Sequence, residues 1–312
     1  MNVTRFDCAS IQRLAQILAS DPAVPYRAHR DRIGTTNFDH YAVERAARLL
    51  CHATGAFETP CGVIAWKMLP WDTGLFKFSA ARIDLLAASG GYNEARETAS
   101  QLIQTAIREA AGKQVRHVVA RVDASSLAYS HALAENGFEM IDGIQTFATR
   151  QVESNPTPHT RLTTSADTDA IAKIATASFV HDRFHNDITI GAEVADRLHE
   201  AWARNSVSGE VADAVLVATS DDGIDAFVTV KLDQTLPGIR FATIPLVATA
   251  YQARGKGAAR RATAAALDWC ASQNVDIVEV GTQIANVPAA RLYQSAGFRT
   301  TAISLTYRKW ID

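Results

Sequence analysis

The chain has 312 residues, of which 47% are hydrophobic, and it carries 31 basic and 33 acidic side chains for a net charge of −2. This length allows one or two domains, and the even charge balance gives no global reason to bind nucleic acid or an anionic membrane surface. The sequence has no run of about 18 apolar residues that could span a bilayer, and the N-terminus lacks the apolar core of a signal peptide. We therefore expect a cytoplasmic protein with neither nucleic acid nor membrane as a partner.

The cysteine spacing predicts no metal site. Cys8, Cys51, Cys61 and Cys270 form no C-x-x-C pair, the arrangement typical of zinc sites. Free thiols in a reducing compartment are the expectation for all four.

Two segments, one in each half of the chain, have the same pattern. "HVVARVDASSLAYSHALAENGFEMID" and "IVEVGTQIANVPAARLYQSAGFRTTA" each read as an apolar strand, a polar connection, a short helix and a Gly-Phe turn into another strand. The two turns, Gly137-Phe138 and Gly297-Phe298, are 160 positions apart in the numbering. This spacing indicates an internal duplication, although such units are common enough in α/β proteins for coincidence to remain an alternative.

The polar stretch "ESNPTPHT" at residues 153–160 contains two prolines and follows a strand-like segment. It predicts a boundary near residue 155, with domains at 1–154 and 155–312. The second half then predicts helices over 165–178, 191–204, 256–273 and 287–295. Strands are predicted on both sides of "DDG" and over "ATIPLVATA", "VDIVEVGT" and "TAISLTYRKW", which together indicate an α/β fold. Pro245 lies inside the "ATIPLVATA" strand and predicts a break there.

A glycine-rich turn separates this broken strand from the long helix. Gln252, Gly255 and Gly257 spell Q-x-x-G-x-G, with Arg254 and Lys256 between them. Glycine N–H groups at a helix start can approach an anion closely, so the turn suits a pyrophosphate. A generic glycine turn is the alternative reading of the same residues.

A second candidate site follows about 30 residues later. Asn286 stands between a strand and a helix, and Tyr293 lies two helical turns further along. A phenol at this place can donate a proton to a leaving group, whereas the structural alternative for Tyr293 is a half-buried core residue.

Together these two patterns resemble the GNAT superfamily of acetyl-CoA-dependent N-acyltransferases. Q-x-x-G-x-G before a helix is followed by N-x-x-A-x-x-L-Y-x-x-x-G-F, matched at Asn286, Ala289, Leu292, Tyr293, Gly297 and Phe298. The resemblance implies a GNAT fold, with a mixed, mostly antiparallel sheet and flanking helices, and the internal repeat implies two such domains in tandem.

The resemblance also implies a mechanism with acetyl-CoA as co-substrate and no metal. An amine attacks the thioester directly, Tyr293 protonates the departing thiolate, and Asn286 bonds the CoA or an ordered water. The residues implied in cofactor binding are Leu246, Val247, Ala248, Gln252, Ala253, Arg254, Gly255, Lys256, Gly257, Ala258 and Asn286.

Other segments resemble the bacterial dTDP-4-amino-4,6-dideoxygalactose (dTDP-fucosamine) N-acetyltransferases, among them "DRFHNDITI", "AWARNSVSGEVADAVLVA" and "LPWDTGLFKF". This resemblance implies a nucleotide-linked amino sugar as the acceptor, with Arg183, His185 and Asp187 near it, in a monomer or homodimer. An aminoglycoside, a polyamine or a peptide N-terminus is the alternative amine, and a CoA-binding scaffold without turnover is the non-enzymatic alternative.

The first half lacks the residues that would perform this chemistry. Aligning the Gly-Phe pairs places Leu133 at the position of Tyr293 and Ser126 at that of Asn286, and the glycine turn is reduced to Gly90-Gly91. Because leucine cannot donate a proton, we expect the first domain to be a degenerate, non-catalytic copy.

Overall fold

A computed structural model describes residues 2–7, 11, 13–19, 27–150, 152, 155–180, 182–233 and 238–312. The chain divides into two compact units. The first unit contains Met1–Gly143 together with Ile303–Asp312, and the second contains Ile144–Ala302.

These units differ from two contiguous halves that meet at residue 155. The chain passes from the first unit to the second at residues 143 and 144, and returns at residues 302 and 303. Both crossings lie inside long strands, so each unit is completed by a strand from the other half of the sequence. Residues 153 and 154, at the boundary predicted from the sequence, lie outside the described residues.

The first unit is a sheet with helices around it. Its strands are β1 (Thr4–Arg5), β2 (Gly55–Thr59), β3 (Gly62–Met68), β4 (Ala80–Ala88), β5 (His117–Asp123), the start of β6 (Glu139–Thr149) and most of β13 (Arg299–Trp310). Its helices are α1 (Leu14–Leu18), α2 (Arg30–Ile33), α3 (Thr35–Cys51), α4 (Pro70–Phe76), α5 (Tyr92–Gly112) and α6 (Leu127–Glu135). The strand order is β1-β2-β3-β4-β5-β13, in which β4 and β5 run parallel and the other neighbours run antiparallel.

The second unit has the same architecture. Its further strands are β7 (Thr160–Leu162), β8 (Ala214–Ser220), β9 (Gly223–Asp233), β10 (Phe241–Ile244), β11 (Val247–Thr249) and β12 (Ile277–Gln283). Its helices are α7 (Thr168–Ser178), α8 (Arg183–Asn186), α9 (Ala192–Val207), α10 (Ala258–Ser272) and α11 (Val287–Ser295). The strand order is β6-β12-β10-β9-β8-β7, in which β10 and β12 run parallel and the other neighbours run antiparallel. The expected mixed, mostly antiparallel sheet with flanking helices is confirmed.

Helix α10 shows why these residues fold as they do. Ala258, Ala262, Ala265 and Ala266 are buried at helical spacing, so small side chains form the face that packs on β8 and β9. Small residues allow the helix to lie close to the sheet, which brings the glycine turn before it close to the ends of the central strands.

The backbone repeats with an offset of 160 residues. β5 and β12 each have seven residues, and α6 and α11 each have nine, at positions that differ by 160. The turn after each helix is also the same, because Phe138 N–H donates to the Leu133 carbonyl and Phe298 N–H donates to the Tyr293 carbonyl, both at 3.0 Å. This repetition supports the internal duplication and the sequence alignment of Leu133 with Tyr293.

The cysteine expectation is wrong at one position. Cys61 and Cys270 are free thiols, but Cys51 is disulfide-bonded, and Cys8 lies outside the described residues. Within the part of the chain that the structure describes, no helix is both long and apolar enough to cross a membrane.

Candidate active site

The candidate site begins where two parallel strands of the second unit separate. β10 and β12 pair from Phe241↔Ile277 to Ile244↔Val280. Beyond this point β11 pairs only with β9 among the described strands, while β12 continues beside β6 as far as Gln283. The edges of β11 and β12 that would face each other are therefore left without ladder partners, and a ligand with amide groups can bond to them.

Pro245 interrupts the strand at the place where the two parallel strands separate. β10 ends at Ile244 and β11 begins at Val247, so the break predicted at Pro245 is confirmed, because proline has no N–H for the ladder.

Leu246, the next residue, is fully engaged with Thr229. Its N–H donates to the Thr229 hydroxyl oxygen and its carbonyl accepts from the Thr229 N–H, both at 3.0 Å. Four residues after Leu246, the Ala250 N–H donates to the Asp225 carbonyl. Since backbone groups alternate in direction along an antiparallel ladder, Val247 directs its N–H and carbonyl away from β9, toward the opening. The geometry thus favours Val247 over Leu246 as the backbone contact to a ligand.

The glycine turn after β11 leaves several N–H groups available. Tyr251–Ala253 form a single 3₁₀ turn, and Gly255 and Gly257 follow with φ of +74° and +77°. Alternating left-handed residues turn successive N–H groups to one side, as in an anion nest. An added Cβ at Gly255 or Gly257 would meet nothing within 4 Å, so the space around the turn is open.

The start of helix α10 adds to this anion site. Gly257 provides no side-chain cap, and the first turn contains no acidic residue. The N–H groups at the start of the helix therefore have no acceptor from the helix itself. Arg254, Lys256 and Arg260 surround the turn as exposed cations, an environment that suits a pyrophosphate.

Asn286 immediately precedes helix α11 and Tyr293 lies within it, shortly after the end of β12. The Asn286 Oδ1 accepts from the Ala289 N–H at 3.2 Å and caps the helix, which leaves the side-chain NH₂ as the group that can donate to a ligand. Tyr293 is 3% exposed and packs between Phe147 and Phe298, with ring centroids 5.8 Å and 6.0 Å away. Burial raises the pKa of the Tyr293 phenol well above its usual value, so the hydroxyl is protonated at neutral pH and can act as a donor.

The three predicted acceptor residues lie on or next to helix α8 but have different environments. Asp187 is buried, and its Oδ1 accepts from the N–H and the hydroxyl of Thr189 at 3.0 Å and 2.6 Å, so it holds the turn after α8. His185 lies between two carboxylates, with Nδ1 2.8 Å from Asp182 and Nε2 3.1 Å from Asp196. The Arg183 guanidinium lies 4.0 Å from the centre of the Phe184 ring. Of the three, Arg183 suits a contact to a phosphate, whereas Asp187 and His185 suit loop positioning.

The first unit separates its parallel strands at the equivalent place but fills the opening. β4 and β5 pair from Ala80↔His117 to Ile83↔Ala120, four pairs as in the second unit. The Tyr129 hydroxyl then bonds both backbone groups of Ala88 at the end of β4, at 2.8 Å and 3.2 Å. A carboxylate occupies the start of helix α5, since Glu94 accepts from the Gly91 N–H at 2.9 Å.

Helices α5 and α6 close the first unit further. A hydrogen bond joins Tyr92 to His131 at 2.5 Å, and an ion pair joins Arg96 to Glu135. In the described residues of the second unit, α10 and α11 are not packed together in this way. In the described residues, the first unit therefore satisfies the backbone groups of Ala88 and the N–H of Gly91 within the chain.

Sequence reasoning missed the contribution of Thr229 and the cluster of Asp182, His185 and His199. Thr229 is one of several β-branched residues in a buried strand, and only pairing with Leu246 distinguishes it. His199 follows the apolar spacing of helix α9, so its only signal was a histidine at a core position.

Comparison with known proteins agrees with this geometry. Residues 181–298 match the Acetyltransferase (GNAT) family, a range that includes the strand break, the glycine turn and Tyr293. The matched segment lies within the second unit and is similar to the GNAT acetyltransferases, a family whose members use acetyl-CoA as co-substrate.

Solved structures extend the fold likeness to both units. A GCN5-related N-acetyltransferase from Sphaerobacter thermophilus superimposes with a TM-score of 0.58 at 15% identity, covering 99% of this chain and 95% of that one. A tandem GNAT protein from the clavulanic acid biosynthesis pathway gives 0.54 at 12% identity, with coverage of 99% and 98%. At these identities the likeness concerns the fold alone.

One curated relative is similar in sequence. The spore coat polysaccharide biosynthesis protein SpsD of Bacillus subtilis is 26% identical over 144 residues, which are 46% of this chain and 48% of the relative. The chain therefore spans about half the length of this relative.

Proposed function

We propose that the second unit is an acetyl-CoA-dependent N-acetyltransferase whose acceptor is a nucleotide-linked 4-amino-6-deoxy sugar. The observation that carries the proposal is the opening between β11 and β12, bordered by a glycine turn with available N–H groups on one side and by helix α11 with Tyr293 on the other. The name of the SpsD relative, which refers to polysaccharide biosynthesis, supports a sugar as the acceptor.

The backbone of β11 would hold the pantetheine arm of acetyl-CoA in the extended conformation of an additional strand. Acetyl-CoA supplies an activated acetyl group as a thioester. The Val247 N–H, directed into the opening, is the donor that would stabilise negative charge on the thioester oxygen. Ala248 faces β9 with its backbone groups, like Leu246, so both support the strand while Val247 makes the contact.

The turn from Gln252 to Ala258 would bind the pyrophosphate. Gly255, Gly257 and Ala258 would donate backbone N–H groups, while Arg254 and Lys256 would add exposed positive charge. Ala253 is buried and anchors the turn. The side chain of Gln252 is exposed beside the same turn and can donate its amide N–H groups to phosphate oxygens.

Tyr293 and Asn286 would serve the leaving group and its surroundings. As the acceptor nitrogen bonds to the carbonyl carbon and the C–S bond breaks, the Tyr293 hydroxyl would give its proton to the CoA sulfur. The nitrogen would lose one proton to solvent, and the Tyr293 oxygen would regain one from solvent. The Asn286 NH₂ would donate to a carbonyl of the arm or to an ordered water.

Arg183 would bind the diphosphate of the acceptor. A guanidinium makes two parallel hydrogen bonds to phosphate oxygens, which fixes orientation as well as charge. His185 and Asp187, held by their neighbours, would position this segment. We further propose that the protein works in the cytoplasm, where the nucleotide sugar and acetyl-CoA are both available.

The test is a thiol-release assay with acetyl-CoA and a panel of amines. The panel contains dTDP- and UDP-linked 4-amino-6-deoxy sugars, the free amino sugar, an aminoglycoside, spermidine and a short peptide. Turnover with a nucleotide-linked sugar, and a product heavier by one acetyl group, is the expected result. Turnover only with another amine would refute the acceptor assignment, and acetyl-CoA binding with no turnover on any amine would favour a CoA-binding scaffold.

Arg183→Lys refines the acceptor test, because lysine keeps the charge but loses the paired hydrogen bonds. We expect the KM for the nucleotide sugar to rise about tenfold or more, with the KM for acetyl-CoA unchanged. Arg291→Lys, an exposed residue on α11, is the matched control.

A further inference from the structure

Three side chains of the second unit converge at the contact between helices α8 and α9. Asp182 precedes α8, His185 belongs to α8 and His199 belongs to α9. The Asp182 Oδ2 lies 2.8 Å from the His185 Nδ1 and 3.5 Å from the His199 Nε2, and the three ligand atoms lie within 4.8 Å of one another. The three side chains are only 10%, 11% and 3% exposed, respectively.

Each histidine is oriented by a hydrogen bond from its other ring nitrogen. The His199 Nδ1 lies 2.9 Å from the Ala195 carbonyl, and the His185 Nε2 lies 3.1 Å from the Asp196 Oδ1. The Ala195 carbonyl oxygen only accepts, so the His199 Nδ1 carries a proton, and the Asp196 carboxylate can accept in the same way from a protonated His185 Nε2. This is the usual arrangement of metal-bound histidines, whose second nitrogen donates to a carbonyl or carboxylate.

The remaining oxygen of Asp182 is also oriented. Its Oδ1 accepts from the N–H groups of Phe184 and His185 at 2.7 Å and 3.3 Å. Oδ2 is thereby turned toward the two imidazoles, and all three side chains have an outer partner that fixes their direction.

These hydrogen bonds direct one ligand atom of each side chain toward a common space. In the tautomers whose outer nitrogens are protonated, the inner nitrogens of both histidines face the Asp182 Oδ2, and one cation can bond to all three atoms. A proton on the His185 Nδ1 would satisfy only the 2.8 Å contact.

We propose that Asp182, His185 and His199 form a binding site for one divalent transition-metal ion of the zinc type. Two ligands that bind an ion at about 2.0–2.1 Å with angles near 90–110° are separated by roughly 2.9–3.4 Å, close to the 2.8 Å and 3.5 Å found here. Two imidazoles and one carboxylate form a donor set that zinc accepts. The absence of cysteine pairs predicted no metal, but this site uses no cysteine.

The ion would fix α8 against α9. His185 is two residues from Arg183 on the same short helix, whereas His199 lies in the middle of the longer helix α9. A bond from each helix to one ion therefore holds the segment that carries Arg183. The role is one of positioning, and acetyl transfer needs no electron or proton from the ion.

The test is zinc binding to the full, tag-free chain after removal of metals with a chelator. Isothermal titration with Zn²⁺ should give one ion per chain, and Co²⁺ should produce visible absorption bands of a nitrogen- and oxygen-bound ion. His199→Gln should weaken Zn²⁺ binding at least 100-fold. Asp196→Ala, at a side chain that is 40% exposed, should weaken it by about 10–100-fold through the lost outer partner.

His40→Gln is the matched control, because His40 is 68% exposed on α3 in the first unit, and this variant should bind Zn²⁺ like the wild type. Asp196→Ala is on the helix surface and tests the site even if His199→Gln fails to fold. A wild-type chain that takes up no stoichiometric Zn²⁺ overturns the proposal. So does unchanged affinity in Asp196→Ala together with unchanged affinity in a folded His199→Gln.

Discussion

Replacing Tyr293 by phenylalanine separates the proposed proton donor from the packing of the same ring. The substitution removes one hydroxyl and keeps the ring between Phe147 and Phe298. If the phenol protonates the leaving thiolate, its loss should lower kcat by about 10²–10⁴-fold, as for other general acids. This factor corresponds to roughly 3–5 kcal/mol of activation free energy.

Binding and stability should change little. The proposed site assigns acetyl-CoA binding to Val247 and the glycine turn, so the dissociation constant measured by isothermal titration should remain within about twofold of the wild type. Burial raises the pKa of the phenol. Removing the hydroxyl while keeping the ring should lower the free energy of unfolding by on the order of 1 kcal/mol.

The pH dependence gives a second readout. Tyr293 has a raised pKa in the folded state, so its neutral form favours folding fully below the unfolded value of about 10, and this contribution decreases as pH rises above it. Tyr293→Phe should therefore reduce the loss of stability measured by urea unfolding above pH 10.

The kinetic assay is thiol release at saturating acetyl-CoA and acceptor, and Tyr41→Phe, a buried tyrosine of α3, is the control with unchanged kcat. A Tyr293→Phe enzyme with wild-type kcat would show that water or another group protonates the thiolate. A large loss of acetyl-CoA affinity would show instead that the hydroxyl binds the cofactor.

Three further predictions follow from the two units. Gly257→Ala and Gly209→Ala both place a Cβ at positive φ, and each should lower the free energy of unfolding in urea by about 1–2 kcal/mol. Only Gly257→Ala should also weaken acetyl-CoA binding. Equal acetyl-CoA affinities of the two variants would argue against the turn as the phosphate site. Calorimetry should give one acetyl-CoA per chain, because the first unit is filled, and two would contradict that assignment. Burial raises the pKa of Cys270 to about 12, so iodoacetamide at pH 8 should modify the half-buried Cys61 and spare Cys270 until the protein unfolds, whereas rapid native labelling of Cys270 would show that the thiol is accessible.

The sequence predicted those parts of the site that depend on local spacing. Helix α11 was predicted over 287–295 and is found there, because Asn286 caps it and Pro288 suits its first turn. The break at Pro245 was also predictable, since it follows from the missing N–H of one residue.

Features that depend on distant pairing were not predictable in this way. The units exchange their last strands, so the division at residues 143–144 and 302–303 lies inside the strands β6 and β13 and not in a linker between domains. The engagement of Leu246 by Thr229 requires the register between β11 and β9, which no local pattern contains. His199 has the sequence spacing of a core residue and is buried in the structure. Its contact with Asp182 and its position near His185 depend on how α8 packs against α9, which the sequence of α9 alone does not contain.

The comparison of the two units shows how few residues decide whether the same backbone can bind a ligand. The offset of 160 places Ala289 where the first unit has Tyr129, so the second unit has no phenol at this position of its short helix. The first unit has Glu94 at its helix start, where the second has an acid-free turn. In the first unit, the Tyr129 hydroxyl bonds to both backbone groups of Ala88, as the arm of acetyl-CoA would bond to a strand. The Glu94 carboxylate bonds to the Gly91 N–H, as a phosphate would bond to a helix start. The first unit therefore keeps the fold by satisfying these groups within the chain, and the second leaves them to a ligand.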